Sequence, residues 1–99
     1  MQKNFGEATR GDTLEHHFNV YNNGLDTLNI LEMSPSCPCI IANINQNKIA
    51  PNDSAIIHVF YHTATKMGYD EKELLVKSDG FPPQLTIRLT AEIRANSHK

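Results

Sequence analysis

Residues 85–94 alternate strictly, and that alternation constrains the fold more than any other feature of the chain. Leu85, Ile87, Leu89, Ala91 and Ile93 interleave with Thr86, Arg88, Thr90, Glu92 and Arg94. A period of two over ten residues sends one set of side chains into a core and the other into water. It cannot be read as a helix, whose apolar positions recur every three to four residues. The same pattern recurs earlier, where Leu14, His16, Phe18 and Val20 oppose Glu15, His17, Asn19 and Tyr21.

Other runs extend this reading. Asn4 to Ala8 makes a short first strand, turned by Arg10-Gly11-Asp12. Asn22-Asn23-Gly24 tolerates the positive φ of tight turns, and Leu28, Ile30, Leu31 and Met33 follow it, so an antiparallel hairpin is expected there. Pro35 and Pro38 withhold backbone donors and mark an edge or a crossover. Ile40–Ile44, Ile56–Tyr61 and Glu73–Lys77 are further strands, separated by turns at Ala50-Pro51-Asn52-Asp53 and Asp79-Gly80-Phe81-Pro82-Pro83. Short strands at roughly ten-residue spacing predict an all-β, immunoglobulin-like β-sandwich of about seven antiparallel strands in two sheets. With 99 residues the chain holds one domain, its core spanning about 4–94.

Charge excludes more than it suggests. Nine basic and eleven acidic residues give a net charge of −2, and the basic ones are scattered singly. Phosphate backbones are bound by clustered Lys and Arg, so nucleic acid is not an expected partner. No apolar run is long enough to cross a bilayer as a helix. Met1-Gln2-Lys3-Asn4 has no apolar core of a signal peptide. Gly-x-Ser-x-Gly, His-Glu-x-x-His and phosphate-cradling glycine loops are all missing, so the chain is not expected to be an enzyme.

The distinctive chemistry lies in Cys37 and Cys39, the only two cysteines. In extended backbone they would share a side with Cα atoms about 6.5 Å apart. That spacing sits at the upper edge of disulfide geometry, and it also allows two thiolates to reach one soft ion. Under the expected hairpin, His16 falls opposite Glu32 or Met33, just before the cysteines. Cys37, Cys39, Met33 and His16 then form a hypothetical ligand set, whose thiolates and thioether favour Cu(I) over zinc. The bland alternative is that the cysteines and Met33 fill core space and His16 is a hydrogen-bonded core histidine. Core filling, redox chemistry and metal binding remain open on these residues. The other histidines are discounted: His16 and His17 face opposite sides, His58 and His62 are about 13 Å apart if extended, and His98 lies in the tail.

Three segments carry a family resemblance: Phe5-Gly6 before Gly11-Asp12, His16-x-Phe18-x-Val20-x-Asn22-x-Gly24, and Ser36-Cys37-Pro38-Cys39. With Pro51 and the closing strand, the chain from Asn4 to about Ile93 resembles the bacterial immunoglobulin-like DUF1573 family. That family belongs to the wider group of Hydin-type and major-sperm-protein-like domains. Its members typically carry Ser-Cys-Gly-Cys; here Pro38 replaces the glycine, and Asn52-Asp53 replaces a glycine-containing turn. The resemblance implies a sandwich fold and a periplasmic or extracellular location, and no established activity. The expectation is a non-catalytic binding or structural module of the bacterial cell envelope, with a protein or glycan partner. A copper-binding or redox site at Cys37 and Cys39 is the alternative.

Overall fold

The computed structural model describes residues 1–63, 67–80 and 82–95. Eight strands appear among these residues: β1 (Gln2–Thr9), β2 (Thr13–Tyr21), β3 (Leu28–Pro35), β4 (Ile40–Ile44), β5 (Lys48–Ile49), β6 (Ser54–His62), β7 (Gly68–Ser78) and β8 (Gln84–Arg94). They form a five-stranded sheet in the order β1-β8-β7-β3-β5 and a three-stranded sheet in the order β2-β6-β4. This is the expected all-β sandwich, with one strand more than anticipated. Pairing is antiparallel except between β1 and β8, which run parallel.

The core forms where the two inner faces meet. From β6 come Ala55, Ile57, Val59 and Tyr61, and from β8 come Ile87, Leu89, Ala91 and Ile93. Phe18, Val20, Ile30, Ile40, Ile49, Leu74 and Val76 complete it. Each large aliphatic side chain buried here contributes about 1.5–3 kcal/mol relative to exposure.

Two bulges correct the simple alternation. The β3–β7 register shifts between Ile30 and Glu32. Ile30 and Met33 therefore both turn inward, three residues apart, while Leu31 is pushed into solvent. A bulge adds one residue to a strand and so exchanges its two faces. The β1–β8 register shifts likewise between Asn4 and Glu7, around Gly6 at φ 72°. Phe5 and Ala8 consequently face the core from opposite sides of the bulge.

The expected hairpin between residues 14–21 and 28–33 does not form. β2 pairs along its whole length with β6, and β3 pairs with β7 and β5 in the other sheet. Asn22 is the physical reason. Its Nδ2 donates to the carbonyls of Asp26 and Ile49, both at 2.8 Å, and its Oδ1 accepts from the Gly24 N–H at 2.9 Å. These bonds tie the loop after β2 to β5, which borders β3, so the chain crosses between sheets instead of folding back. β7 also starts at Gly68, five residues earlier than the expected Glu73.

Candidate functional site

The Cys-Pro-Cys segment occupies a second crossover, from β3 in one sheet to β4 in the other. Ser36 clamps its start to β7: the Ser36 N–H donates to the Glu73 carbonyl at 2.8 Å, and the Glu73 N–H donates to Ser36 Oγ at 3.0 Å. A β-turn follows, closed by the Ile40 N–H on the Cys37 carbonyl at 3.1 Å. Pro38 holds the second turn position, for which its fixed φ is pre-set. The Cys39 carbonyl then accepts from the His62 N–H at 2.8 Å, which opens the β4–β6 ladder.

Cys37 and Cys39 are joined by a disulfide, with Cα atoms 5.1 Å apart. The separation is shorter than the extended estimate because the turn folds the two residues together. Proline in place of the family's usual glycine therefore does not keep the sulfurs apart; it supports the turn that unites them. Closing so short a loop restricts the unfolded chain by only about 1–2 kcal/mol. Both residues are half-buried, and Cys39 packs against the core. The Cys39 N–H donates to Cys37 Sγ at 3.1 Å.

His16 and Met33 lie on strands of different sheets. His16 stands opposite Val59 on β6, and Met33 stands opposite Val76 on β7. The pairing meant to carry His16 to Met33 is therefore absent. Met33 packs against the core, and His16 meets Phe18 edge-on with ring centroids 4.8 Å apart. Burial lowers the His16 pKa below the usual imidazole value, and the charges of Lys3 and His17 push in the same direction. Among the described residues no group of three or more His, Cys, Asp or Glu side chains is placed to hold a metal ion. His98 lies outside the described residues.

The outer face of the three-stranded sheet holds a cluster that spacing alone did not reveal. The β2–β6 register sets His17 opposite His58, with ring centroids 4.0 Å apart. Glu15 Oε2 lies 2.6 Å from His58 Nε2, and the Phe60 and His58 ring centroids are 4.2 Å apart. Thr13 Oγ1 reaches His62 Nδ1 at 3.1 Å. Exposed Tyr21, Ile41 and Ile56 share this face. Each of these residues shows in the sequence, but their meeting depends on a pairing between strands some forty residues apart.

Among the described residues, the same sheet has an open edge at β2, which pairs with β6 alone. Beyond its two ends the ladder continues, with Thr63 N–H donating to the Asp12 carbonyl at 3.1 Å and Asn22 N–H to the Asp53 carbonyl at 2.9 Å. Bonded and non-bonded positions alternate in an antiparallel ladder. The even-numbered residues of β2 therefore bond to β6. The N–H and C=O groups of Thr13, Glu15, His17, Asn19 and Tyr21 point away from it. At one end of the sandwich, a cleft of about 780 Å³ opens between residues 22–28 and residues 78–80, 82, 84 and 85, with Val20, Ile30 and Val76 also lining it.

Two layers of strands meeting on an apolar core, with crossovers between sheets, define an immunoglobulin-like sandwich domain. The chain belongs to the DUF1573 family of proteins of unknown function, whose profile matches residues 1–93. Among solved structures it is similar to a protein of unknown function from Porphyromonas gingivalis W83, at 18% identity and a TM-score of 0.82. That match covers 92% of this chain and 43% of the other. It is also similar to the Vibrio cholerae secreted serine protease VesC, at 16% identity and a TM-score of 0.69. The Vibrio cholerae VesB protease follows at 15% identity and a TM-score of 0.68. Each of these two matches again covers 92% of this chain, but only 21% of VesC and 30% of VesB. At such identities the likeness is one of fold. The chain spans less than half the length of each of these proteins. No curated protein matches it.

Proposed function

We propose that the chain is a non-catalytic docking module of the bacterial cell envelope, and that its partner is an extended protein segment added to the β2 edge as a fourth strand. The observation carrying this reading is the edge itself. Sheet edges are normally blunted by shortness, bulges, proline or charge. β4 is five residues long, β5 is two, and β1 is bulged at Gly6. β2 runs nine residues in unbroken register, without proline, and Glu15 is its only Asp, Glu, Lys or Arg. Its five outward-facing residues offer the backbone donors and acceptors that strand addition uses.

Two further observations support the setting. Disulfides persist in oxidising compartments, which agrees with a bridged Cys37–Cys39 in the envelope. In the similar solved structures the matching fold makes up 21–43% of a longer chain, as a module would.

Strand addition is tested by selecting peptides from a displayed library on the whole chain, then titrating them on wild type and Asn19→Pro. The Asn19 N–H points away from β6, so proline there removes an edge donor and spares the β2–β6 bonds. Selected peptides should be extended, and their affinity should fall about tenfold or more on Asn19→Pro, the worth of one lost hydrogen bond. Equal binding to both proteins would place the partner elsewhere and refute the reading.

A further inference from the structure

We propose that Cys37 and Cys39 form a thiol–disulfide exchange site, at which Cys37 takes the mixed disulfide and Cys39 is the sulfur that leaves and later resolves it. Four observations converge on this assignment. The bridge closes a loop of sequence separation two, too small to serve as an effective staple of the unfolded chain. It sits in a half-buried turn at the crossover between the two sheets, with exposed Ser36 and Pro38 beside the two cysteines. The two sulfurs differ: Cys39 packs against the core, whereas Cys37 is not part of that packing. Finally, the Cys39 N–H points at Cys37 Sγ from 3.1 Å, a donor that favours a thiolate at Cys37 once the bridge opens.

The co-reactant is a dithiol, two cysteines of a partner protein. One partner thiolate attacks Cys37 Sγ, and the electron pair of the Cys37–Cys39 bond passes to Cys39 Sγ, which leaves and takes a proton. The second partner thiolate then attacks the partner sulfur of the mixed disulfide and displaces Cys37 as a thiolate. The partner dithiol is oxidised to a disulfide by two electrons, and the bridge is reduced to two thiols. The two protons of the partner's thiols end on Cys37 and Cys39. Run backwards, the same steps let Cys37 attack a partner disulfide and Cys39 resolve it.

The site is separate from the β2 edge, because β4, which Cys39 leads into, lies on the opposite side of the three-stranded sheet. A strand docked on β2 would leave the disulfide uncovered, so the two proposals stand or fall independently.

The experiment is a titration of the oxidised whole chain with buffers of reduced and oxidised glutathione, followed by acid quenching, alkylation and peptide mapping. Bridged and dithiol forms should interconvert across the series, and the trapped glutathione adduct should map to Cys37. A bridge that stays closed at every ratio while the chain remains folded would overturn the proposal, as would an adduct on Cys39. This arm needs no substitution. In a second arm, reduced Cys39→Ser and Cys37→Ser are each mixed with oxidised glutathione, their folding checked by amide proton spectra. The Cys37 thiol of Cys39→Ser should form its adduct about tenfold faster than the Cys39 thiol of Cys37→Ser, following thiolate character and access. Equal rates, or faster reaction at Cys39, would overturn the assignment of roles.

Discussion

Tyr61 on β6 donates its hydroxyl to the Asp70 carboxylate on β7, a polar link between the two sheets of the sandwich. Tyr61 is fully buried, whereas Asp70 is half-buried and also holds the Lys72 ammonium at 3.2 Å. The two partners should therefore respond unequally to removal. Tyr61→Phe leaves Asp70 with Lys72 and some water and should cost about 1 kcal/mol. Asp70→Ala strands a buried hydroxyl and should cost about 2–3 kcal/mol. Urea unfolding of both variants checks the order, and a larger loss for Tyr61→Phe would contradict it.

Asn22 should be the most sensitive polar residue of the loop region. It is buried, and its side chain serves the Asp26 and Ile49 carbonyls and the Gly24 N–H at once. Asn22→Ala should destabilise the domain by about 2–4 kcal/mol, because the Ile49 carbonyl is left buried without its donor. Asn22→Asp should also destabilise, since it presents an oxygen where two carbonyls need an N–H. Thermal unfolding of both variants decides the point.

Asn52 holds a left-handed conformation at φ 65° in the turn after Pro51. Asparagine tolerates that region, glycine occupies it freely, and β-branched residues are strained there. Asn52→Gly should lie within about 0.5 kcal/mol of wild type, and Asn52→Val should lose about 1–2 kcal/mol. Equal stabilities of the two variants would mean that the turn can rearrange.

The depressed pKa of His16 gives folding a pH dependence of definite sign. Below pH 6.5 the unfolded chain takes up a proton on His16 that the folded chain resists, because burial, Lys3 and His17 all oppose the charge. Stability from this group is present above 6.5 and is lost as the pH falls through the lowered folded value. The melting temperature should drop between pH 7.5 and 5, and His16→Leu should flatten that part of the profile. An unchanged slope in His16→Leu would assign the dependence to other groups.

The legibility of the fold followed the purity of each local pattern. β8 was plain because every inward position from Leu85 to Ile93 is apolar. β7 was half hidden because its first inward positions carry Asp70 and Lys72, which pair with each other at 3.2 Å instead of signalling a core. The residues Asn22-Asn23-Gly24 announced a change of direction, but a turn does not say which sheet the chain enters next. That choice rests on Asn22 reaching Ile49, 27 residues away. At the candidate site the same-side cysteines were evident, and their bonding was not, since an extended pair and a turned pair differ only in the backbone around Pro38. The His17–His58 contact lay further out of reach. It exists only through the β2–β6 register, and no local spacing encodes that register.

The parallel pairing of β1 with β8, from Gln2 beside Arg88 to Thr9 beside Arg94, bears on how the domain would meet mechanical load. Pulling the first strand backwards and the last strand forwards drives them past one another along a shared axis. On either side of the Gly6 bulge, the slanted bonds of the parallel ladder then carry the tension together, in shear. An antiparallel end pair pulled the same way would peel open one bond at a time. The arrangement gives the sheet its greatest resistance along the line on which its two terminal strands would be drawn apart.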